Sequence, residues 1–449
     1  MTDKSQEKYI LLTTGPVPRV ITRLAVPTII SMLVTSFYNI ADSFFVGQID
    51  TPSTAAVGIA ASVQFVVQAV AFFFGQGSGN YISRQLGAKQ VESASRMAAT
   101  SAVLAFVCGL LIALVCIIFI TPISVMLGST PTILPYTESY LSIALLGAPF
   151  LAAQITMNNQ MRYQGNAAYA MVGILSGAVL NIVLDPLFIF AFHLGVSGAA
   201  LATAVSQFCA FLVIGAMTFK GGNLRIRLSQ FTPNLYYIRE IISGGTPSLA
   251  RQLLGSLAAI LLNTAAGTWG GDAAIAGMTI VTRLTFFINS TLIGFGQGFQ
   301  PLCGFSYGAH LYKRVQEGFW FCVKVGTVFL VLIALLGYGY AEEIIALFRK
   351  DDVEVIRIGA ATLRWQFFTY PLGAIVMYSN MMMQTIRMPI RATVLSSARQ
   401  GLFFIPCVLV MPTIWGLQGV IACQAVADIL SFLLAIPLVG SVLYELRRK

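Results

Sequence analysis

Four oxygen-bearing side chains stand in apolar surroundings: Asp42, Asn181, Asp185 and Thr203. Asp42 lies in "YNIADSFFVG" (38–47) and is the only charge between Arg23 and Asp50. Asp185 follows Asn181 by four residues, which puts both on one face of a helix. An ionisable group inside an apolar segment is costly and marks a functional candidate. Two carboxylates, an amide and a hydroxyl can hold a hard cation, or a proton shared between the acids. The bland alternative is a pair of buried acids kept for packing, and two unpaired acids are a costly way to pack.

The elements that carry these residues are membrane spans. The chain of 449 residues is 57% hydrophobic and 10% charged, against about 25% charged in soluble proteins. Apolar runs of about 20 residues, enough to cross a bilayer, recur along it. They predict an all-α polytopic membrane protein of twelve transmembrane helices: 18–46, 52–82, 95–120, 131–157, 166–192, 195–219, 238–268, 273–303, 315–340, 353–382, 388–412 and 416–443. No secretory signal peptide is expected, because the first 17 residues are polar. The first and fifth spans run outward and the sixth inward. That places Asp42, Asp185 and Thr203 within about two turns of the outer ends, where they converge on one pocket.

The net charge of +10 does not call for a nucleic-acid partner. With the N-terminus inside, nineteen of the 27 Lys and Arg residues, Lys449 among them, fall on inner segments. Only Arg349, Lys350 and Arg357 fall on outer loops. The bias predicts a multi-pass protein of the cell (inner) membrane with both termini cytoplasmic.

A shift of 221 residues superimposes Gly75-Gln76-Gly77 on Gly296-Gln297-Gly298, Gly87-Ala88 on Gly308-Ala309, and Gly195 and Gly198 on Gly416 and Gly419. Six spans are thus duplicated as parallel repeats. The expected domains are an N-lobe (1–219), a cytoplasmic linker (220–237) and a C-lobe (238–449). Under the same shift Asp42 falls on Asn263, Asn181 on Leu402, Asp185 on Pro406 and Thr203 on Gln424. The second lobe has lost the acids and carries Arg283, Arg399 and Asp428 instead. An Arg399–Asp428 ion pair is the plain reading; substrate contact is the sharper one. Pro27, inside the first span, removes a backbone hydrogen bond and makes a hinge there. The seven cysteines and two histidines have no metal-site spacing, and no phosphate-binding loop or catalytic triad is present.

The strings "LAVPTIISMLVTSFYNIADSFFVGQ", "GQGSGNYISRQLGA", "NIVLDPLFIF" and "GVSGAALATAVSQ", with the six-plus-six repeat, resemble the MATE (multidrug and toxic compound extrusion) transporters over nearly the whole chain. The resemblance implies a V-shaped pair of six-helix bundles that alternates access to the two sides of the membrane. It implies antiport: a cation enters while an organic, often cationic, compound leaves. Asp42, Asn181, Asp185 and Thr203 match the first-lobe cation site of the DinF-like branch. Tyr38 and Asn158 match polar residues near it, Asn39 joins them as a cavity candidate, and Pro27 matches a proline tied to bending of the first helix. The NorM-like branch carries acids in the seventh and tenth spans, whereas 246–268 and 358–382 here contain none.

The expected function is therefore secondary active efflux of drugs or toxic organic compounds by a monomeric antiporter, not an enzyme. It needs no cofactor beyond a coupling H+ or Na+ held at the four-residue site. Besides its cargo it meets only membrane lipid. The competing reading is a flippase for lipids or lipid-linked oligosaccharides, for which Arg251, Arg283 and Arg399 would hold phosphate headgroups.

Overall fold

The computed structural model describes residues 3–350 and 352–448; Lys449, counted above, lies outside them. The described residues form helices and no strand, as a bilayer core requires of any backbone that cannot close a barrel. After α1 (Asp3–Thr14) come α2 (Val17–Gly47), α3 (Thr51–Gly87), α4 (Val91–Ile118), the short α5 (Ile120–Met126), α6 (Leu134–Ala144), α7 (Ala148–Tyr163), α8 (Ala167–Pro186) and α9 (Gly195–Met217). The second half holds α10 (Leu235–Gly308), α11 (Tyr312–Gly339), the short α12 (Ala341–Ala346), α13 (Val353–Thr385), α14 (Pro389–Ser397), α15 (Phe404–Trp415) and α16 (Leu417–Arg448).

Ten of these segments are long and apolar enough to cross a membrane. Pairs such as α6 with α7, and α14 with α15, form single spans. The 74-residue α10 is two spans. Its chain reverses at Gly271, whose φ of 64° and ψ of −159° are open to glycine and costly for any residue with a Cβ. With α13, more polar than the rest, the spans number twelve, in two parallel repeats. Three long helices start on side-chain caps: Asp50 accepts from Ser53 N at 2.7 Å, Asn234 from Tyr237 N at 3.0 Å and Asp352 from Val355 N at 3.2 Å.

One end of the bundle, here the N-terminal face, gathers α1, the 218–234 connection and the end of α16. Lys8 Nζ donates to the Gly222 carbonyl at 3.1 Å, and Arg314 Nε donates to the Leu12 carbonyl at 3.0 Å. At this face the two repeats touch backbone to backbone. A Cβ on Gly87 would lie 2.3 Å from Phe305 O, and one on Gly308 would lie 2.0 Å from Arg84 O. Residues 84 and 305, like 87 and 308, are counterparts in the repeat, so the contact is its own mirror about a pseudo-two-fold axis. Gly77 approaches Ile241 O and Gly298 approaches Ala25 N in the same way. The repeated Gly-Gln-Gly is therefore a close-packing device.

Substituting Gly87 and Gly308 together by valine should overpack this seam, at about 1–3 kcal/mol per site. The melting temperature of the purified protein should fall by several degrees. Gly47→Val, where no atom lies within 4 Å of the built Cβ, should leave it unchanged.

Toward the opposite face the repeats part. The stripe of α2 that packs through Ala25 and Ile29 on Gly298 and Gly294 continues through Phe37, whose ring meets Phe287 at 6.0 Å. Beyond it Ile40 and Phe44 are exposed. The molecule is a V, closed at the N-terminal face and open at the other.

Candidate functional site

α2 stands between the two repeats and turns opposite faces to them. Residues 38 and 42 lie one turn apart on the face away from the cleft, and this face packs on α8. The structure brings Asp42, Asn181, Asp185 and Thr203 together. Asn181 and Asp185 are buried on α8, and Asn181 Nδ2 donates to Thr203 Oγ1 on α9 at 3.5 Å. The carboxyl groups of Asp42 and Asp185 are neighbours, close enough to interact electrostatically. Tyr38 and Tyr140 border the same pocket, within electrostatic range of Asp42 and Asp185. Just past Asp185 and Pro186 the helix widens into a π-helical segment, Leu187–Ala191; such bulges recur at functional sites.

The bonding within this pocket is incomplete. Asp42 Oδ1, Asn181 Oδ1 and both Asp185 carboxyl oxygens are buried without a hydrogen-bond partner. Buried polar atoms are nearly always paired, and each exception asks for an explanation. Four oxygens from two helices, two of the side chains acidic, form a nest that a proton or a bare cation would complete.

Two cavity candidates do not join the pocket. Asn158 donates through Nδ2 to the Ala170 carbonyl at 2.7 Å, near the start of α8 and about 16 Å along that helix from Asn181. Asn380 makes the same bond to Ala392 at 2.6 Å in the other repeat, so Asn158 is a repeated architectural residue. Asn39 is exposed on α2. Conversely, Tyr140 on α6 was not legible: nothing in its segment separates it from other buried aromatics.

A second polar constellation closes the N-terminal face. Glu240, on the first limb of α10, accepts from Arg84 Nη2 at 3.1 Å and from Arg387 Nη2 at 2.5 Å. Arg84 Nη1 also donates to the Thr385 carbonyl at 2.8 Å, and Thr385 Oγ1 donates to Asn80 Oδ1 at 2.9 Å. Arg162 donates to Asn159 and, across the cleft floor, to Gln297. In the sequence these arginines counted only as orienting charges. The missed signal was Glu240, the sole acid between 220 and 268.

The MatE family pattern matches residues 27–187 and 247–410, one stretch in each repeat. The chain belongs to the MatE family. It is 28% identical over 428 residues to the multidrug export protein MepA of Staphylococcus aureus (strain MSSA476), covering 95% of this chain and 94% of that protein. Among solved structures it superposes on a MOP superfamily transporter from Pyrococcus furiosus with a TM-score of 0.91 at 26% identity, over 98% of this chain and 99% of that one. It superposes on a MATE crystal structure in a bent conformation with a TM-score of 0.92 at 25% identity, over 100% and 99% of the two chains. The protein is thus a multi-pass membrane transporter and not an enzyme.

In this MatE transporter the second repeat fills the corresponding place differently. Arg399, in the π-helical segment Ala398–Leu402, donates through Nε to Asp428 Oδ1 at 2.7 Å. Gln424, the counterpart of Thr203, donates to the same oxygen at 2.9 Å, and Thr369 Oγ1 donates to Oδ2 at 3.5 Å. Asp428 is satisfied where Asp42 and Asp185 are not. Arg283 stands apart from this pair, exposed on the second limb of α10. Arg399→Met should cost about 3–5 kcal/mol of stability, because it strands a buried carboxylate. Adding Asp428→Leu should recover most of the loss, a non-additivity that thermal denaturation of the two single and one double variants would register.

Proposed function

We propose that this transporter exports small amphiphilic organic compounds in exchange for H+ or Na+, with Asp42 and Asp185 as the ion-carrying groups. The observation that carries the reading is the set of four unpartnered buried oxygens shared between α2 and α8. Close carboxylates repel unless a proton or cation sits between them. Ion binding therefore draws α2 toward α8, and ion release lets it go.

α2 is suited to transmit that change. Pro27 has no N–H, so the Arg23 carbonyl lacks its helical partner and the helix bends there at low cost. The opposite face of α2 packs on the second limb of α10 through Ile29 and Ala25. A bend in α2 thus alters the cleft wall. In the proposed orientation the N-terminal face is cytoplasmic, by the nineteen-to-three bias of Lys and Arg, and the V opens to the outside of the cell membrane. A single chain contains both lobes, so a monomer suffices. The export role follows the multidrug export name of the staphylococcal relatives. The lipid-flippase reading loses one of its three arginines, since Arg399 is engaged by Asp428.

The test is purified protein in liposomes with ethidium as cargo and a sodium or a proton gradient imposed separately. Ethidium export should accelerate at least about tenfold under one of the two gradients, equivalent to about 1.4 kcal/mol. Indifference to both would end the antiporter reading.

A further inference from the structure

Two guanidinium groups deep in the spans have no hydrogen-bond or ion-pair partner among the described residues: Arg251 and Arg283. Both belong to α10 and face the cleft. Arg283 lies one turn from Phe287, which meets Phe37 of the first repeat, and on the stripe of Gly294 and Gly298 that packs on α2. Arg251 lies seven residues, two turns, beyond Gly244, whose built Cβ is 3.0 Å from Gly77 O across the lobes. It is half-buried and within electrostatic range of Tyr163 in the first repeat. The facing wall of α2 offers exposed Phe37, Ile40 and Phe44. The first-repeat acids do not compensate the arginines, because Asp42 lies on the opposite face of α2.

An unpaired charge at membrane depth is expensive and is retained where it lines a pathway. Guanidinium recognises planar or tetrahedral oxyanions through two parallel hydrogen bonds. We infer that Arg283 is an anion-binding contact in the cleft, with Arg251, about 12 Å further from the Gly271 turn on the other limb of α10, a second and separate one, so that the cargo of this transporter includes amphiphiles bearing a carboxylate, sulfonate or phosphate on an apolar body. This inference rests on the export reading above and narrows its substrate class. The acids of the first repeat carry the ion, and the arginines of the second receive the cargo.

The test compares three probes in the same liposomes under both gradients: ethidium, pyrenesulfonate, and a fluorescent short-chain phosphatidylglycerol whose leaflet is read by dithionite quenching. The wild type should move an anionic probe. Arg283→Gln should raise the KM for that probe by about tenfold, the loss of one charge-assisted pair, and leave ethidium within about twofold. Arg283→Lys, which keeps the charge but not the fork, should recover part of the loss. Movement of pyrenesulfonate identifies a soluble anion, and movement of the phospholipid alone identifies a lipid headgroup; either supports the anion contact. Export of ethidium with neither anionic probe moved or bound overturns the contact and leaves the exporter standing. An equal Arg283→Gln effect on ethidium and on the anion also overturns it. If no probe responds to either gradient, the export reading falls and the anion contact with it.

Discussion

Asp42→Asn is expected to abolish gradient-driven export while leaving the protein folded and inserted. The residue shares a buried nest with Asp185, and Oδ1 of Asp42 and both carboxyl oxygens of Asp185 lack partners. The amide is nearly isosteric, so packing on α8 persists. What is lost is one of two negative charges. Two unit charges about 4 Å apart at an effective dielectric near 20 interact by about 4 kcal/mol. Their separation into one charge and one neutral amide removes the repulsion that an incoming ion relieves. The coupled rate should fall by at least about tenfold. The ligand-free melting temperature should stay level or rise. In the wild type the same temperature should respond to the coupling ion: to added sodium if sodium is carried, to acidification if the proton is. In Asp42→Asn that response should shrink or vanish. A variant that exports normally, or that keeps the full ion-dependent stabilisation, would remove Asp42 from the coupling role.

Glu240→Gln is expected to open the other end of the molecule. Glu240 is 6% exposed and holds Arg84 of one repeat and Arg387 of the same repeat as itself on its two oxygens. Removing one partner of a buried ion pair costs about 3–5 kcal/mol, because the remaining charge is left uncompensated. The cost here falls on the conformation closed at the N-terminal face, where the groups meet. A shift of that size changes a two-state ratio by about two to nearly four orders of magnitude. Spin labels at exposed positions 96 and 313, one near the start of α4 and one near the start of α11, report the outcome by electron–electron distance. The wild type should give one short population. Glu240→Gln should add a longer one as a major species. An unchanged distribution would show that the glycine seam alone keeps this face shut.

Much of this architecture is legible in the sequence. The spans follow from apolar runs, and the duplication from one constant offset. The acidic pocket was legible because depth and helical period are both fixed per residue. Asp42, Asp185 and Thr203 had similar depths, and Asn181 had to share a face with Asp185. Features that depend on how helices meet were not. Tyr140 enters the pocket because of how α6 lies against α9, a relation no spacing encodes. Asn158 was assigned by likeness to a region that its own bond to Ala170 keeps it from. Arg84 and Arg162 looked like orienting charges because their partners, Glu240 and Gln297, lie more than 100 residues away. The turn at Gly271 was legible only as a gap between spans.

The satisfied state of Asp428 also sets an energetic ceiling. In the proposed antiport, a carboxylate already neutralised by Arg399 takes up no ion, so the first repeat alone is left to harvest an ion gradient. One elementary charge moved through 100 mV provides about 2.3 kcal/mol. That sustains roughly a fiftyfold concentration ratio of an uncharged cargo. Two equivalent working sites would square that ratio. On the proposed coupling, giving one half of a duplicated machine a permanent internal counter-ion trades a steeper gradient for an entire lobe free to shape the cleft.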